Sequence, residues 1–145
     1  MDGLSFLRHL LDSGTTPPGI GHTLDFSLQA VDAGSVTLTA RPSKAHYNPL
    51  GTVHGGYAAT VLDGAMALAL HSTLPAGQGY TTTALTIHYT RPMTAESAPL
   101  RAIGKLVQRG GRAASATAEL FDAEGRLCAH GSSALMIFDI PAAKA

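Results

Sequence analysis

The segment that most constrains the fold is residues 55–70, GGYAATVLDGAMALAL, in which Asp63 is the only acidic or basic side chain. A helix that is apolar on every face is expected to be buried on every face. A carboxylate inside such a helix loses its hydration, which costs free energy unless neighbouring groups compensate the charge. Carboxylates held in this way are concentrated at functional sites. Asp63 is therefore the first candidate for chemistry.

Length and composition limit the possible classes of protein. The chain has 145 residues, which suits a single domain over 1–145, with an N-terminal helix and loop at 1–21 and a core at 22–140. Ten basic residues balance ten acidic ones, so no net charge attracts nucleic acid or an anionic membrane. The hydrophobic content of 45% excludes an intrinsically disordered chain. We expect a folded domain with no nucleic-acid or membrane partner.

The sequence carries no clear signal for a metal, a disulfide or a membrane span. Cys128 is the only cysteine, so it forms no internal disulfide, and no CxxC or HExxH pattern supplies paired metal ligands. Residues 55–70 are fewer than the ~20 apolar residues that a spanning helix needs. Residues 1–13 predict a short amphipathic surface helix and not a signal peptide. We expect a soluble cytoplasmic protein with no metal and no cofactor.

Hydrophobic periodicity predicts the order of the elements. A loop at 13–21 precedes two alternating segments, 24–30 and 35–40, which a turn at 32–34 joins into a hairpin. The apolar helix follows a polar loop at 41–53 and stops near Leu74-Pro75, and four more strands are predicted at 81–89, 100–108, 114–121 and 126–138. This order favours an α+β fold, in which a curved antiparallel sheet of about six strands wraps around one long central helix.

The entrance of the apolar helix is a candidate binding site. Gly55 and Gly56 have no side chain, so another group can approach their N–H groups, which are unpaired at a helix start and carry partial positive charge. Such donors suit a polarised carbonyl oxygen or an oxyanion. An ordinary capping turn would use the same residues. His54 and Asn48 have the same two interpretations, since each can hold a turn or can orient a carbonyl or a water.

The spacing of Gly55 and Asp63 limits how these residues can cooperate. They are eight residues apart, which is ~12 Å along a helix axis at ~1.5 Å per residue. An oxyanion donor and a base or nucleophile must both lie within ~3 Å of one reacting group. If both residues are catalytic, the site must combine Gly55 of one chain with Asp63 of another, and two-fold pairing makes two such sites.

Two segments resemble one known family. Asn48 to Gly56, NPLGTVHGG, followed after six residues by Asp63, is similar to the signature of hotdog-fold acyl-CoA thioesterases, most of all the branch associated with phenylacetate degradation. Residues 81–92, TTTALTIHYTRP, resemble the strand that follows the helix in that branch. The resemblance covers roughly 24–138.

The resemblance implies a fold and a reaction. The fold is the hotdog, assembled as homodimers and usually as homotetramers of two dimers. The reaction is hydrolysis of a thioester, in which acyl-CoA and water give an acid and CoA, so that CoA is part of the substrate and not a cofactor. Gly55 N–H would polarise the thioester carbonyl, and Asp63 of the facing subunit would act as general base or as nucleophile. Asn48 and His54 would hold the carbonyl and the lytic water.

Contacts to CoA are also implied by the resemblance. Arg91-Pro92 and the turn Arg109-Gly110-Gly111-Arg112 resemble segments that meet the nucleotide and pantetheine, and Gly56 lies at the same helix entrance as Gly55. Arginine suits phosphate, although arginines at strand ends are often simply solvated. Some relatives have a hydroxyl near the reacting group where Thr81, Thr82 and Thr83 stand, and Thr82 is preferred among the three.

Two alternatives to the thioesterase remain at this stage. One is a hotdog dehydratase or hydratase, and the other is a non-catalytic module that binds or senses acyl-CoA. The acyl group is expected to be aromatic or of short to medium chain length. Four apolar residues are weighed as its pocket, with core packing as the better default: Leu50, Tyr57, Met66 and Leu70.

Overall fold

The computed structural model describes residues 1–143 and contains a curved antiparallel sheet with one long helix against it. The helices are α1 (Gly3–Ser13), α2 (Ile20–Leu24) and α3 (Gly55–His71). The strands are β1 (Phe26–Asp32), β2 (Ser35–Ala40), β3 (Gln78–Tyr89), β4 (Leu100–Arg109), β5 (Ala113–Phe121) and β6 (Leu127–Asp139). The predicted α+β class is confirmed.

The sheet has six strands in the order β1-β2-β4-β5-β6-β3, and every neighbouring pair is antiparallel. Strand β2 lies beside β4, although α3 and β3 separate them in sequence. Strand β3 pairs with β6 at the far edge of the sheet. The other side of β3 has no strand partner within the described chain.

Helix α3 packs closely against the middle of the sheet. A Cβ atom at Gly104 in β4 would overlap the backbone carbonyl of Ala65 in α3, so glycine is what allows this approach. The core between helix and sheet combines small and large apolar side chains, most of them fully buried. Its largest fully buried members are Leu7, Leu38, Leu62, Met66, Leu70, Leu74, Leu100 and Leu120.

The opposite face of α3 is only partly covered. Ala59, Thr60, Asp63, Gly64 and Ala67 are half-buried in the single chain. The prediction of burial on every side is therefore wrong for one protomer, because the sheet covers one side of the helix and nothing within residues 1–143 seals the other. This open face consists of small and apolar residues around a carboxylate, which is a surface unlike an ordinary solvated helix face.

Strand β3 runs antiparallel to α3 along one side of this open face. The ring of Tyr80 lies 5.2 Å from that of His71 at the end of the helix, and Tyr89 contacts Gly55 at its start. A bulge at Thr83 interrupts the alternation of β3. Consequently Thr82, before the bulge, and Tyr89, after it, pair with the buried residues Leu135 and Ala129 of β6, which places both on the helix side of the sheet.

The N-terminal part differs from the prediction in two places. Residues 20–24, assigned to a loop and the start of a strand, form the short helix α2, which ends where Asp25 adopts a left-handed conformation with φ 56°. Strand β1 therefore begins at Phe26 instead of Leu24. A bulge at Gln29 then turns Ala30 outward, so the predicted apolar face of this strand is wrong at both ends. Helix α1 is confirmed, with Asp2 as its cap.

Candidate active site

Asp63 lies at the middle of α3 and faces a cavity of about 430 Å³. Its Oδ1 accepts a hydrogen bond of 2.7 Å from Thr82 Oγ1, which fixes the carboxylate against β3. Tyr80 and Leu85 of β3 line the same cavity. Of the three threonines weighed from the sequence, Thr82 is the one that contacts Asp63. The second carboxylate oxygen accepts no hydrogen bond from residues 1–143, so it is free to act on a bound molecule.

Tyr80, which lines this cavity with Asp63 and Thr60, also carries a titratable group. Burial, and to a smaller extent the negative charge of Asp63, raise the pKa of Tyr80 above its ordinary value. The phenol therefore stays protonated at neutral pH and does not act as a base. Among residues 1–143, Asp63 is the only acidic residue that lines this cavity, so it is the candidate base.

At the helix entrance, His54 is the capping residue of α3. Its Nδ1 accepts a hydrogen bond of 2.8 Å from Gly56 N–H, and its carbonyl accepts one of 2.9 Å from Tyr57 N–H. This leaves the N–H of Gly55 as the donor of the entrance that has no partner within residues 1–143. Since Nδ1 of His54 is an acceptor, a neutral ring carries its proton on Nε2 and presents it outward. The capping-turn interpretation holds for Gly56, whereas Gly55 keeps a free donor.

Sequence reasoning did not identify Tyr89 as a residue of this entrance. Its hydroxyl donates a hydrogen bond of 2.5 Å to the carbonyl of Gly55, and a Cβ atom at Gly55 would lie 3.1 Å from that hydroxyl. A tyrosine at a strand end gives no signal of this contact, because the contact depends on how β3 is aligned with α3. The bulge at Thr83 sets that alignment.

Asn48 holds the loop before the helix. Its Oδ1 accepts hydrogen bonds from the N–H groups of Leu50 and Thr52, at 3.0 and 3.2 Å, and its Nδ2 donates to Thr52 Oγ1 at 2.9 Å. The turn interpretation of Asn48 therefore describes its contacts in the single chain. Its role toward a substrate stays a prediction.

The predicted CoA contacts lie in two separate places. Arg91 and Pro92 are exposed and follow β3 at the end of the strand that carries Tyr89. The hairpin Arg109–Arg112 joins β4 to β5 near the opposite end of α3, where Arg109 donates a hydrogen bond to the carbonyl of Thr73. Within one chain, this hairpin is therefore far from the glycines of the helix entrance.

The candidate residues of the site thus form two groups in one protomer. Asp63 and Thr82 make one group, and Gly55 and His54 make the other, with Tyr89 added to it by the structure. Because α3 is a continuous helix over Gly55–His71, the groups stand ~12 Å apart along its axis at ~1.5 Å per residue.

The four residues weighed for the acyl pocket lie outside the cavity at Asp63. Tyr57, Met66 and Leu70 belong to the core, and Leu50 is 93% exposed, so none of the four lines the cavity at Asp63. Over residues 1–143, no three side chains of His, Cys, Asp or Glu are grouped as a metal site would require. None of the helices in that range has the length and hydropathy needed to cross a membrane.

Comparisons with known proteins bear on the family and the fold. The profile of the thioesterase superfamily matches residues 50–129, which include the helix entrance, Asp63 and β3. No curated protein sequence matches the chain.

Solved structures superpose over almost the whole chain. A phenylacetic acid degradation-related protein from Ralstonia eutropha JMP134 is 29% identical with a TM-score of 0.80, over 90% of this chain and 98% of that one. The PaaI protein of the E. coli phenylacetic acid degradation operon is 20% identical with a TM-score of 0.79, over 95% and 99%. A thioesterase family protein from Silicibacter pomeroyi is 24% identical with a TM-score of 0.81, over 94% and 98%.

The fold and the profile together define a hotdog protein of the thioester hydrolase class, as predicted from the sequence. The chain belongs to the thioesterase superfamily.

Proposed function

We propose that the protein hydrolyses acyl-CoA thioesters at a site shared by two copies of the chain, with Asp63 from one copy and Gly55 from the other. The minimal active unit is then a homodimer, which two such dimers extend to a tetramer. CoA enters as part of the substrate, with no further cofactor, and the reaction is cytoplasmic.

The observation that carries this proposal is that Asp63 and the N–H of Gly55 lie apart on one helix. Each belongs to an incomplete half of the site, called a half-site below. Asp63 has a fixed carboxylate and a cavity, but the free N–H of Gly55 in the same chain lies ~12 Å from it along the helix axis at ~1.5 Å per residue. Gly55 has a free N–H, but none of the described residues that line the cavity at the helix entrance is acidic. Two α3 helices that run antiparallel about a two-fold axis would bring each half-site to the missing half on the partner.

The shape of the protomer supports this pairing. The open face of α3 and the free edge of β3 adjoin each other, so both are available to a second copy. Antiparallel pairing would also bring the hairpin Arg109–Arg112 of one chain toward the helix entrance of the other. The guanidinium groups would then be placed to bind the phosphates of CoA.

The chemistry follows from these positions. Gly55 N–H and the N-terminus of α3 stabilise the negative charge that develops on the thioester oxygen. The free oxygen of Asp63 accepts a proton from water as the water oxygen forms a bond to the carbonyl carbon. The carbon–sulfur bond breaks, and the sulfur leaves as CoA, which receives a proton. If Asp63 attacks the carbonyl itself, water hydrolyses the resulting anhydride in a second step, and the products are the same.

The experiment that tests the function is release of free CoA, detected with a thiol reagent, from benzoyl-, phenylacetyl- and hexanoyl-CoA. We expect release by the wild type and its loss in Asp63→Asn. Asp32→Asn, at an exposed position in β1, is the matched control and should retain activity. Binding of acyl-CoA without release by the wild type would favour the binding or sensing module. Hydration of an enoyl-CoA without release would favour the hydratase.

A further inference from the structure

A second cavity, of about 340 Å³, lies beneath the N-terminal segment and is separate from the helix entrance. Its walls are the end of α1, the loop that follows, α2 and β1, with one residue each from β2 and α3. No charged side chain lines it, and its polar side chains are hydroxyls. The apolar lining consists of Leu10, Leu11, Pro17, Pro18, Ile20, Phe26, Leu28, Leu38 and Leu68.

This cavity adjoins the cavity at Asp63. Ile20, Phe26 and Leu68 line both of them, one residue each from α2, β1 and α3. Leu68 follows Asp63 by five residues on the same helix, so it lies ~7.5 Å further along the axis. The acid therefore stands in a mostly apolar lining that extends, without another charged side chain, toward the N-terminal segment.

Building on the proposed hydrolysis at Asp63, we propose that the acyl group of the substrate is an unbranched chain of medium length that extends past Ile20, Phe26 and Leu68 into this second cavity. Residues 10–21 then determine which chain lengths are hydrolysed efficiently. The chemistry of the lining favours a hydrocarbon, because a polar or charged acyl group would lose hydration without gaining an ionic partner.

The distance from Asp63 to Leu68 sets the acyl-chain length at which the substrate begins to enter the second cavity. An extended chain of single bonds advances ~3.8 Å per three bonds, as the protein backbone does. A span of ~7.5 Å therefore takes about six bonds from the carbonyl carbon. Butyryl and hexanoyl chains end before the second cavity, whereas octanoyl and decanoyl chains reach into it. A phenylacetyl group also ends short of it.

Each methylene buried in an apolar site contributes a factor of about four to affinity. We expect kcat/KM of the wild type to increase by about this factor per added methylene beyond hexanoyl-CoA, until the cavity is full. A site bounded at Asp63 would show no such increase.

The test uses CoA thioesters from butyryl to dodecanoyl with three variants in α1. Leu11 lines the second cavity and not the cavity at Asp63. Leu11→Trp should fill the second cavity. The ratio of kcat/KM for decanoyl-CoA to kcat/KM for butyryl-CoA should then fall by at least about tenfold. Leu11→Ala enlarges the cavity and should move the preferred length to longer chains. His9→Trp places the same large side chain at an exposed position of the same helix and should keep the wild-type profile.

A second readout does not depend on hydrolysis. The chain has no tryptophan, so Ile20→Trp places a single fluorophore at the passage between the cavities. We expect its emission to shift to the blue on addition of decanoate, and not on addition of butyrate. The fluorophore of His9→Trp should respond to neither.

The outcomes separate this inference from the function itself. If the wild type hydrolyses thioesters but Leu11→Trp, Leu11→Ala and His9→Trp share one chain-length profile, the acyl assignment is overturned and the hydrolase stands. If no thioester is hydrolysed and decanoate still shifts the emission of Ile20→Trp, the apolar site stands and the hydrolase is overturned. Failure of both readouts overturns both.

Discussion

Thr82 Oγ1 donates a hydrogen bond of 2.7 Å to Asp63 Oδ1, and this contact joins the edge strand β3 to the middle of α3. A carboxylate in an otherwise apolar helix is thereby held in one orientation, with its second oxygen facing the cavity. Hydrogen bonds to charged groups contribute more than those between neutral groups, so this contact is a sensitive point of the site.

Thr82→Val removes the donor while keeping the shape of the side chain. A hydrogen bond to a charged group is worth ~1.5–3 kcal/mol, so we expect kcat to fall by about ten- to a hundredfold. Thr82→Ser keeps the hydroxyl and should retain most of the activity. Thr83→Val is the matched control, because the Thr83 hydroxyl bonds the carbonyl of Ala134 instead of Asp63. Equal activity in Thr82→Val and Thr83→Val would exclude a role of this contact in catalysis.

Tyr89→Phe tests the contact at the helix entrance. The variant loses the 2.5 Å hydrogen bond to the carbonyl of Gly55, which helps to hold the peptide next to the free N–H. A neutral hydrogen bond is worth ~0.5–1.5 kcal/mol, so kcat should fall by about two- to tenfold, together with a fall of a few degrees in Tm. A fall in Tm with unchanged kcat would show that Tyr89 serves stability alone.

Gly104→Ala tests the close packing of helix and sheet. The added methyl group would overlap the backbone carbonyl of Ala65, which no side-chain rotation relieves. Overpacking of this kind costs ~1–3 kcal/mol, and we expect a loss near the upper end, measured by urea unfolding. Gly111→Ala is the control, because a Cβ atom at Gly111 has no neighbour within 4 Å. Equal unfolding free energies for the two variants would contradict this packing.

Stability should depend on His71 in mildly acidic solution. Burial lowers the pKa of His71, and its buried Nδ1 has no hydrogen-bond partner within residues 1–143. The unfolded chain therefore takes up the proton more readily, so the stability contributed by the neutral ring is present above about pH 6.5 and is lost as the pH falls below it.

His71→Phe should remove this part of the pH dependence. Between pH 7.5 and 5.5, Tm of the variant should fall less than Tm of the wild type, while His9→Phe, at an exposed position, should follow the wild type. Parallel curves for wild type and His71→Phe would show that the ring does not titrate in this range.

The sequence was sufficient for those features that depend on local pattern. The apolar helix was predicted to begin at Gly55 and to stop near Leu74-Pro75. It begins at Gly55 and ends at His71, a few residues earlier, because an unbroken apolar stretch between a glycine pair and Leu74-Pro75 has few alternatives. The order of six antiparallel strands followed from alternation and from the turns at Gly34 and Gly125.

Features that depend on tertiary contacts were not predictable. The bulges at Gln29 and Thr83 have no local signal, yet they decide that Ala30 faces outward and that Tyr89 reaches Gly55. Helix α2 has only five residues, which is too few for a periodic apolar pattern to be recognised in the sequence. So short a helix also depends on tertiary contacts for its stability. The open face of α3 was missed because composition cannot distinguish burial by the sheet from burial by a second chain.

The measurement that tests the shared site most directly is activity in mixed dimers of Asp63→Asn and Gly55→Pro. Proline removes the N–H of Gly55 at the first helical position, where proline is tolerated, and His54 already has the extended backbone, with φ −58° and ψ 136°, that precedes proline. Each variant alone should be inactive, and circular dichroism should show that both are folded.

After subunit exchange at equal concentrations, half of the dimers contain one chain of each kind, and each of these has one intact site. We predict recovery of about one quarter of the wild-type activity. Activity no higher than that of the separate variants, with exchange verified by mass spectrometry, would contradict a site built from two chains.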